Sequence, residues 1–175
     1  MSNRAYFGAI LAVALLVAAP VFAQSTGNTR PPAAIEAFAG NAGFADDALI
    51  EHSVFGASAR VYATPRIAFG PELVYMKGPR SDRDLFLTGN LTFDLLSPRQ
   101  GRPPRVSPFL VAGGGFFRHT DRFGTASFSN VEGAFTGGGG ARVWITDRAY
   151  AVADFRIGWE LHYRITGGVG ISLAR

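Results

Sequence analysis

The stretch Leu85 to Leu95, LFLTGNLTFDL, alternates between two kinds of side chain. Its apolar residues share one parity: Leu85, Leu87, Leu91, Phe93 and Leu95. Its polar residues share the other: Thr88, Asn90, Thr92 and Asp94. A period of two is typical of a β-strand with one apolar and one polar face. The alternation returns at 151–159 and 161–173, which predicts a protein built from such strands.

The N-terminus is organised like a secretory signal peptide. Arg4 precedes an apolar run over 7–19, and Val21-Phe22-Ala23 then forms a cleavage site before Gln24. The run is shorter than the roughly 20 apolar residues that a spanning helix needs. We therefore predict a cleaved signal peptide at 1–23, a disordered leader at 24–33 and one β-barrel domain at 34–175.

Charged side chains are scarce and unusual in kind. They make up 17% of the chain, against about 25% in an average protein. Lys77 is the only lysine, and sixteen of the 17 basic residues are arginines, with a net charge of +4. There is no cysteine, which excludes disulfides and thiolate metal sites. A large part of the surface is therefore expected not to face water.

Eight strand-like runs follow the leader. They are Ala34 to Phe44, Ser53 to Ala63, Arg66 to Met76, Asp84 to Leu96, Val106 to Arg118, Ser129 to Thr146, Ala149 to Glu160 and Leu161 to Leu173. Most have the length that a tilted strand needs to cross a bilayer. The links between them are short or polar, and His119 to Phe128 is predicted as the longest loop at one end.

The polar parity decides which face points inward. In the later runs, acids and arginines alternate from strand to strand, and an eight-stranded barrel has an interior just wide enough for side chains. Buried charges need hydrogen-bonded partners, and arginine suits paired bonds with a carboxylate. We predict a lumenal charge network of Arg60, Glu72, Asp94, Glu132, Arg142, Asp154, Arg156 and Arg164. The apolar parity is then expected to face lipid.

Aromatic residues near strand ends are candidates for interfacial girdles. They are Tyr62, Tyr75, Phe109, Trp144, Tyr150, Trp159 and Tyr163. The fifth run does not reveal its phase, because both parities are apolar around Val111 and three glycines follow at 113–115.

These features resemble the small outer-membrane barrels of the OmpA/OmpX type, including the opacity-protein-like barrels. The resemblance covers the chain from about Ala34 onward and is strongest at Leu85 to Leu95 and at 163–173. It implies an all-β, eight-stranded, antiparallel up-and-down transmembrane β-barrel, exported to the cell outer membrane. It also implies outer-membrane lipid, lipopolysaccharide and the barrel-assembly machinery as partners, and a monomer.

Motifs for other chemistry are weak. The glycine runs at 113–115 and 137–140 lack the Lys-Ser/Thr pair of a phosphate loop, so we interpret them as sites of close packing. His52, His119 and His162 are far apart in sequence, and we expect solvated loop positions rather than a metal site. Lipid A deacylases of similar size carry a His-X-Ser motif, which neither His119 nor His162 begins. We predict no enzymatic activity, no cofactor and no nucleic-acid binding.

Three functions remain open from the sequence. The first is a structural outer-membrane barrel with a closed, charged lumen whose loops serve adhesion or surface interaction, with Arg118, Asp121 and Arg122 able to meet lipopolysaccharide phosphates. The second is a small passive channel. The third is a soluble periplasmic carrier of the lipocalin kind, which requires Leu91, Phe93, Ile157 and Ile171 to point inward.

Overall fold

The structure, a computed structural model, describes residues 33–45, 49–80, 82–98, 103–123, 126–159 and 162–173. The predicted signal peptide lies outside these residues, as does the predicted leader except for Ala33, which begins the first strand. Among the described residues there is no helix with the length and apolarity to span a membrane.

Eight strands form the fold. They are β1 (Ala33–Ala45), β2 (Leu49–Tyr62), β3 (Ile67–Lys77), β4 (Arg83–Asp94), β5 (Val106–Phe123), β6 (Ala126–Trp144), β7 (Ala149–Gly158) and β8 (His162–Ser172). Each strand pairs antiparallel with its neighbours in sequence, and β1 also pairs with β8, so the sheet closes into a barrel. This confirms the predicted all-β, eight-stranded up-and-down architecture.

Closure gives the barrel two distinct ends. At the end we call the terminal end, Ala34 of β1 lies opposite Ser172 of β8, and the Leu173 backbone N–H donates to the Ala33 carbonyl at 2.7 Å. The links β2–β3, β4–β5 and β6–β7 are also there. The links β1–β2, β3–β4, β5–β6 and β7–β8 lie at the opposite end, the loop end.

The apolar parity covers the outside of the barrel. Leu91, Ile157 and Ile171 are 56%, 60% and 50% exposed, and Phe93 is 37% exposed. The polar parity points inward, where Glu72 and Arg142 are almost fully buried. The lipocalin-like carrier is therefore wrong for this protein, because the four apolar residues that it requires inside, Leu91, Phe93, Ile157 and Ile171, face outward.

The fifth strand keeps one phase from Phe109 to Phe117. Phe109, Val111 and Phe117 are buried in the interior, whereas Leu110 and Phe116 are about half exposed on the outside. The glycine run between them allows close contact with β4: a Cβ atom at Gly115 would lie 2.0 Å from the Leu87 carbonyl oxygen. The structure thus places this glycine run at a site of close packing.

Strands β5 and β6 reach farther at the loop end than the sequence predicts. Residues 119–123 and 126–128, expected as loop, pair in register up to Phe123 opposite Ala126. The β4 ladder ends at Thr120 and the β7 ladder at Thr136, so the last three rungs of the hairpin have no other described strand beside them. We call residues 119–123 and 126–130 the ribbon. The polar sequence of the ribbon has no period of two, because a hairpin that extends beyond its neighbouring strands needs no apolar face.

Candidate functional site

The interior at the terminal end holds a first set of charged side chains, joined to one another. Arg142 of β6 donates to Asp94 Oδ1 at 2.7 Å and to Glu36 Oε1 at 3.3 Å. Arg60 of β2 forms an ion pair with Glu36 and donates to the Tyr150 hydroxyl at 2.6 Å. The Tyr62 hydroxyl donates to the second oxygen of Asp94 at 2.8 Å. These contacts connect five strands across the lumen.

A second set is centred on Glu72 of β3. Arg156 of β7 donates to both of its carboxylate oxygens, at 3.1 and 2.8 Å, and Arg164 of β8 donates to one of them at 2.8 Å. Arg156 also donates from Nε to Asp154 at 2.9 Å, and the Thr166 hydroxyl donates to the other oxygen of Asp154. Two-point bonding of this kind orients both partners.

Glu36 is a member that sequence reasoning missed. It lies in the alanine-rich first strand with the same parity as buried Ala34 and Ala42, and that parity is the signal that could have identified it. With Glu36 included, the two sets contain four arginines and four carboxylates, so their formal charges cancel. Fully desolvated charges are tolerated only with such pairing.

Glu132 is a correction to the predicted charge network. It has the inward parity, but its partners are Asn130 and the indole N–H of Trp159, the latter at 3.4 Å. The β7 ladder begins at Thr136, so Glu132 lies at the loop end, away from the buried arginines. The other seven predicted members all lie in the two charged sets.

An apolar layer separates the charged sets from the loop end. Read from the loop end toward the terminal end, the inward residues of β2 include His52, Val54 and Arg60, and those of β4 include Asp84, Phe86 and Asp94. We call the layer the plug, and its buried residues are Ala42, Phe44, Val54, Val74, Met76, Phe86, Phe117 and Ala134. The rings of Phe86 and Phe117 lie 4.5 Å apart.

Several aromatic side chains that were expected in an interfacial girdle point into the lumen at the terminal end. Tyr150 is 1% exposed and its ring lies 4.7 Å from that of Trp144, whose indole N–H donates to the Ser107 hydroxyl at 3.2 Å. Phe109 is buried under the Arg142 guanidinium, 3.9 Å from it. These residues point inward because the polar handles of Trp144 and Tyr150 find partners in the lumen. Tyr75 and Trp159 do face outward.

Two histidines and two aspartates meet on the loop-end side of the plug. His52 Nε2 lies 2.8 Å from Asp82 Oδ2 and 3.3 Å from Asp84 Oδ2, and His119 Nδ1 lies 2.7 Å from Asp84 Oδ1. We call these four residues the His-Asp cluster. The expectation of solvated loop positions was wrong for His52 and His162, which are 3% and 2% exposed. Both are inward strand residues that contact the Phe44 ring.

Basic side chains form a rim on the outside at the same end. Lys77 of β3 lies directly opposite Arg83 of β4, and Arg118 of β5 lies opposite Leu85, the next outward residue of β4. Like charges directly opposite each other in a sheet repel. Immediately toward the terminal end, the outward residues are the apolar pair Tyr75 and Leu85. We call Lys77, Arg83 and Arg118 the basic rim.

The comparisons with protein-family models and with curated proteins found no match for the sequence. Solved structures do match its fold. The N-terminal β-barrel domain of Pseudomonas aeruginosa OprF superposes with a TM-score of 0.66 at 15% identity, covering 83% of this chain and 100% of that one. Neisserial surface protein A gives a TM-score of 0.68 at 13% identity, with 79% and 96% covered.

A third match is Ail, the attachment invasion locus protein of Yersinia pestis, in complex with the heparin analogue sucrose octasulfate. It has a TM-score of 0.58 at 12% identity, with 82% of this chain and 99% of that one covered. At such low identity the likeness is one of fold. It confirms the resemblance drawn from the strand pattern: the chain has the fold of the small eight-stranded outer-membrane β-barrels.

Proposed function

We propose that the protein is an outer-membrane barrel with a closed lumen, which binds lipopolysaccharide at its basic rim and presents its ribbon at the cell surface. The observation that carries this proposal is the sharp change from apolar to basic side chains on the outer surface of β3 and β4. Tyr75 and Leu85 are apolar, and Lys77 and Arg83 follow at once toward the loop end. A lipid-embedded wall changes in this way where acyl chains give way to head groups.

The basic rim suits a phosphate-bearing lipid. Lys77 and Arg83 are both exposed and lie opposite each other, so an anion bound between them relieves their repulsion. Lipopolysaccharide carries phosphates at this depth of the outer leaflet. Ail, which shares the fold, is known in complex with a sulfated sugar, which supports a polyanionic ligand for barrels of this shape.

The loop end is outside in this proposal, and the terminal end faces the periplasm. The hairpin of β5 and β6 extends past its neighbouring strands at the loop end, as external hairpins do in outer-membrane barrels. At the terminal end the β2–β3 and β6–β7 links are short, whereas the β4–β5 link is longer. Surface interaction then falls to the ribbon, where Phe128 is 61% exposed. The barrel-assembly machinery is the partner we propose for insertion, and the inserted form is a monomer.

Refolding into vesicles tests the lipid partner. The mature chain is refolded into phosphatidylcholine vesicles with and without lipopolysaccharide, and the temperature at which its compact form unfolds is read from its gel mobility. We expect lipopolysaccharide to raise that temperature for the wild type, and to raise it far less for the double variant Lys77→Gln/Arg83→Gln.

The matched control is Arg105→Gln/Arg148→Gln, which removes two exposed arginines from the terminal end. It should respond to lipopolysaccharide as the wild type does. An equal rise in all three proteins would contradict binding at the basic rim.

A further inference from the structure

We propose that the His-Asp cluster is a binding site for a divalent transition-metal cation, held by His52, Asp82 and Asp84. One donor atom from each of these residues lies within 4.8 Å of the other two. They come from β2, the β3–β4 link and β4, so only the folded barrel brings them together. Their separation in the sequence explains why spacing gave no sign of a metal site.

The spacing of the donor atoms fits a metal ion. Ligands bound at about 2.0 to 2.2 Å from one ion are separated by roughly 3.0 to 3.5 Å in tetrahedral or octahedral geometry. His52 Nε2 lies 2.8 Å from Asp82 Oδ2 and 3.3 Å from Asp84 Oδ2. Small side-chain shifts therefore suffice to seat an ion between the imidazole and the two carboxylates.

The charges of the His-Asp cluster differ from those elsewhere in the lumen. Each of the four carboxylates nearer the terminal end has an arginine partner, for example Glu72 with Arg156. Within the described part of the chain, the ion pairs of Asp82 and Asp84 are with histidines alone. Two carboxylates that pair with no described arginine or lysine, held close together in a confined space, are an arrangement that a divalent cation stabilises.

A further observation points to a ligand. Asp82 Oδ1 is shielded from solvent and accepts no hydrogen bond from any described residue, and its ion-pair contact is with the His119 imidazole, whose Nδ1 lies 3.5 Å away. A buried acceptor that lacks a hydrogen bond is typical of a place that an ion or another donor fills.

His119 acts as a positioning residue. Its Nδ1 lies 2.7 Å from Asp84 Oδ1 and 3.5 Å from Asp82 Oδ1, the carboxylate oxygens that do not face His52. A partner on the outer oxygens orients a metal-binding carboxylate. An imidazole with two carboxylates suits zinc and its first-row neighbours better than calcium or magnesium, which prefer oxygen ligands alone. Such an ion would join β2 to the β3–β4 link.

Zinc titration of the refolded mature chain in detergent, without a polyhistidine tag, tests the site. We expect one saturable Zn²⁺ site by calorimetry and a Co²⁺ absorption spectrum showing nitrogen ligation. Asp82→Asn keeps the backbone hydrogen bonds of its link and should weaken Zn²⁺ binding by roughly 100-fold or more, since it removes a direct ligand. Asp147→Asn, an exposed aspartate in a turn at the terminal end, should bind like the wild type.

Folding of each variant is checked by the gel mobility of unheated protein. If Asp82→Asn does not fold, His119→Gln takes its place, with an expected loss of about 10- to 100-fold in Zn²⁺ affinity. The proposal is overturned by the absence of a saturable site, by an unchanged affinity in the cluster variant, or by Mg²⁺ binding equal to that of Zn²⁺.

Discussion

At the scale of single residues, Arg142 has the most demanding position in the barrel. It is 1% exposed, bonds two carboxylates from β1 and β4, and covers the Phe109 ring. Parity in the sequence predicts that it points inward, since it alternates with outward Val143. The identity of its partners was not predictable, because parity gives the face of a residue but not its height or its neighbour across the lumen.

Removing this guanidinium should be costly. Arg142→Ala leaves Glu36 short of one partner and Asp94 without its ion pair, and breaking a buried pair costs about 3 to 5 kcal/mol. Urea unfolding of the protein in lipid vesicles measures the loss. Arg148→Ala, at an exposed turn position, should stay within about 0.5 kcal/mol of the wild type. If the two variants were equally stable, the charged sets would not hold the barrel together.

At the scale of elements, the eight strands were predictable because lipid and lumen impose opposite demands on alternate residues. Observed and predicted strand bounds differ mainly at the strand ends, where the residues no longer lie between lipid and lumen. The ribbon is the clearest case: His119 to Phe128 reads as a loop, since a hairpin above the membrane has no lipid-facing side. Glu132 was predicted to lie in the lumen because it has the inward parity. Parity alone does not show where along the strand the enclosed interior ends.

The ribbon should be reachable on intact cells. A short epitope inserted between Gly124 and Thr125 is expected to bind antibody without permeabilisation, because the hairpin extends past its neighbours at the loop end. The same epitope between Thr146 and Asp147, in a turn at the terminal end, is the control and should bind only in permeabilised cells. The reverse pattern would invert the proposed orientation.

At the scale of the whole molecule, the described interior is layered. The plug lies in one half of the lumen and the paired arginines and carboxylates lie in the other, which supports the closed lumen proposed above. Balanced acids and arginines on the polar parity already suggested a closed lumen. The plug was not predictable from the sequence. Apolar residues that point inward, such as Phe86 and Phe117, cannot be distinguished from lipid-facing apolar residues until the strand register is known.

Conductance separates this barrel from the small channel that the sequence left open. In planar bilayers the refolded protein should show no stable steps of the size of a true porin, since Phe86 and Phe117 block the path at one level and Arg142 and Arg164 at others. Protein refolded without a shift in gel mobility serves as the negative control. Reproducible porin-sized steps would mean that the plug or the charged sets open.

The long reach of the ion pairs has a consequence for how the wall is assembled. Glu36 and Arg142 are 106 positions apart and Glu72 and Arg164 are 92 apart, so these pairs form only when late strands arrive. A register shift of one residue moves every side chain of a strand to the opposite face of the sheet. The arginine of that strand would then face the acyl chains of the membrane. The ion pairs therefore favour the correct strand register, because each arginine meets its carboxylate only when all strands are in register.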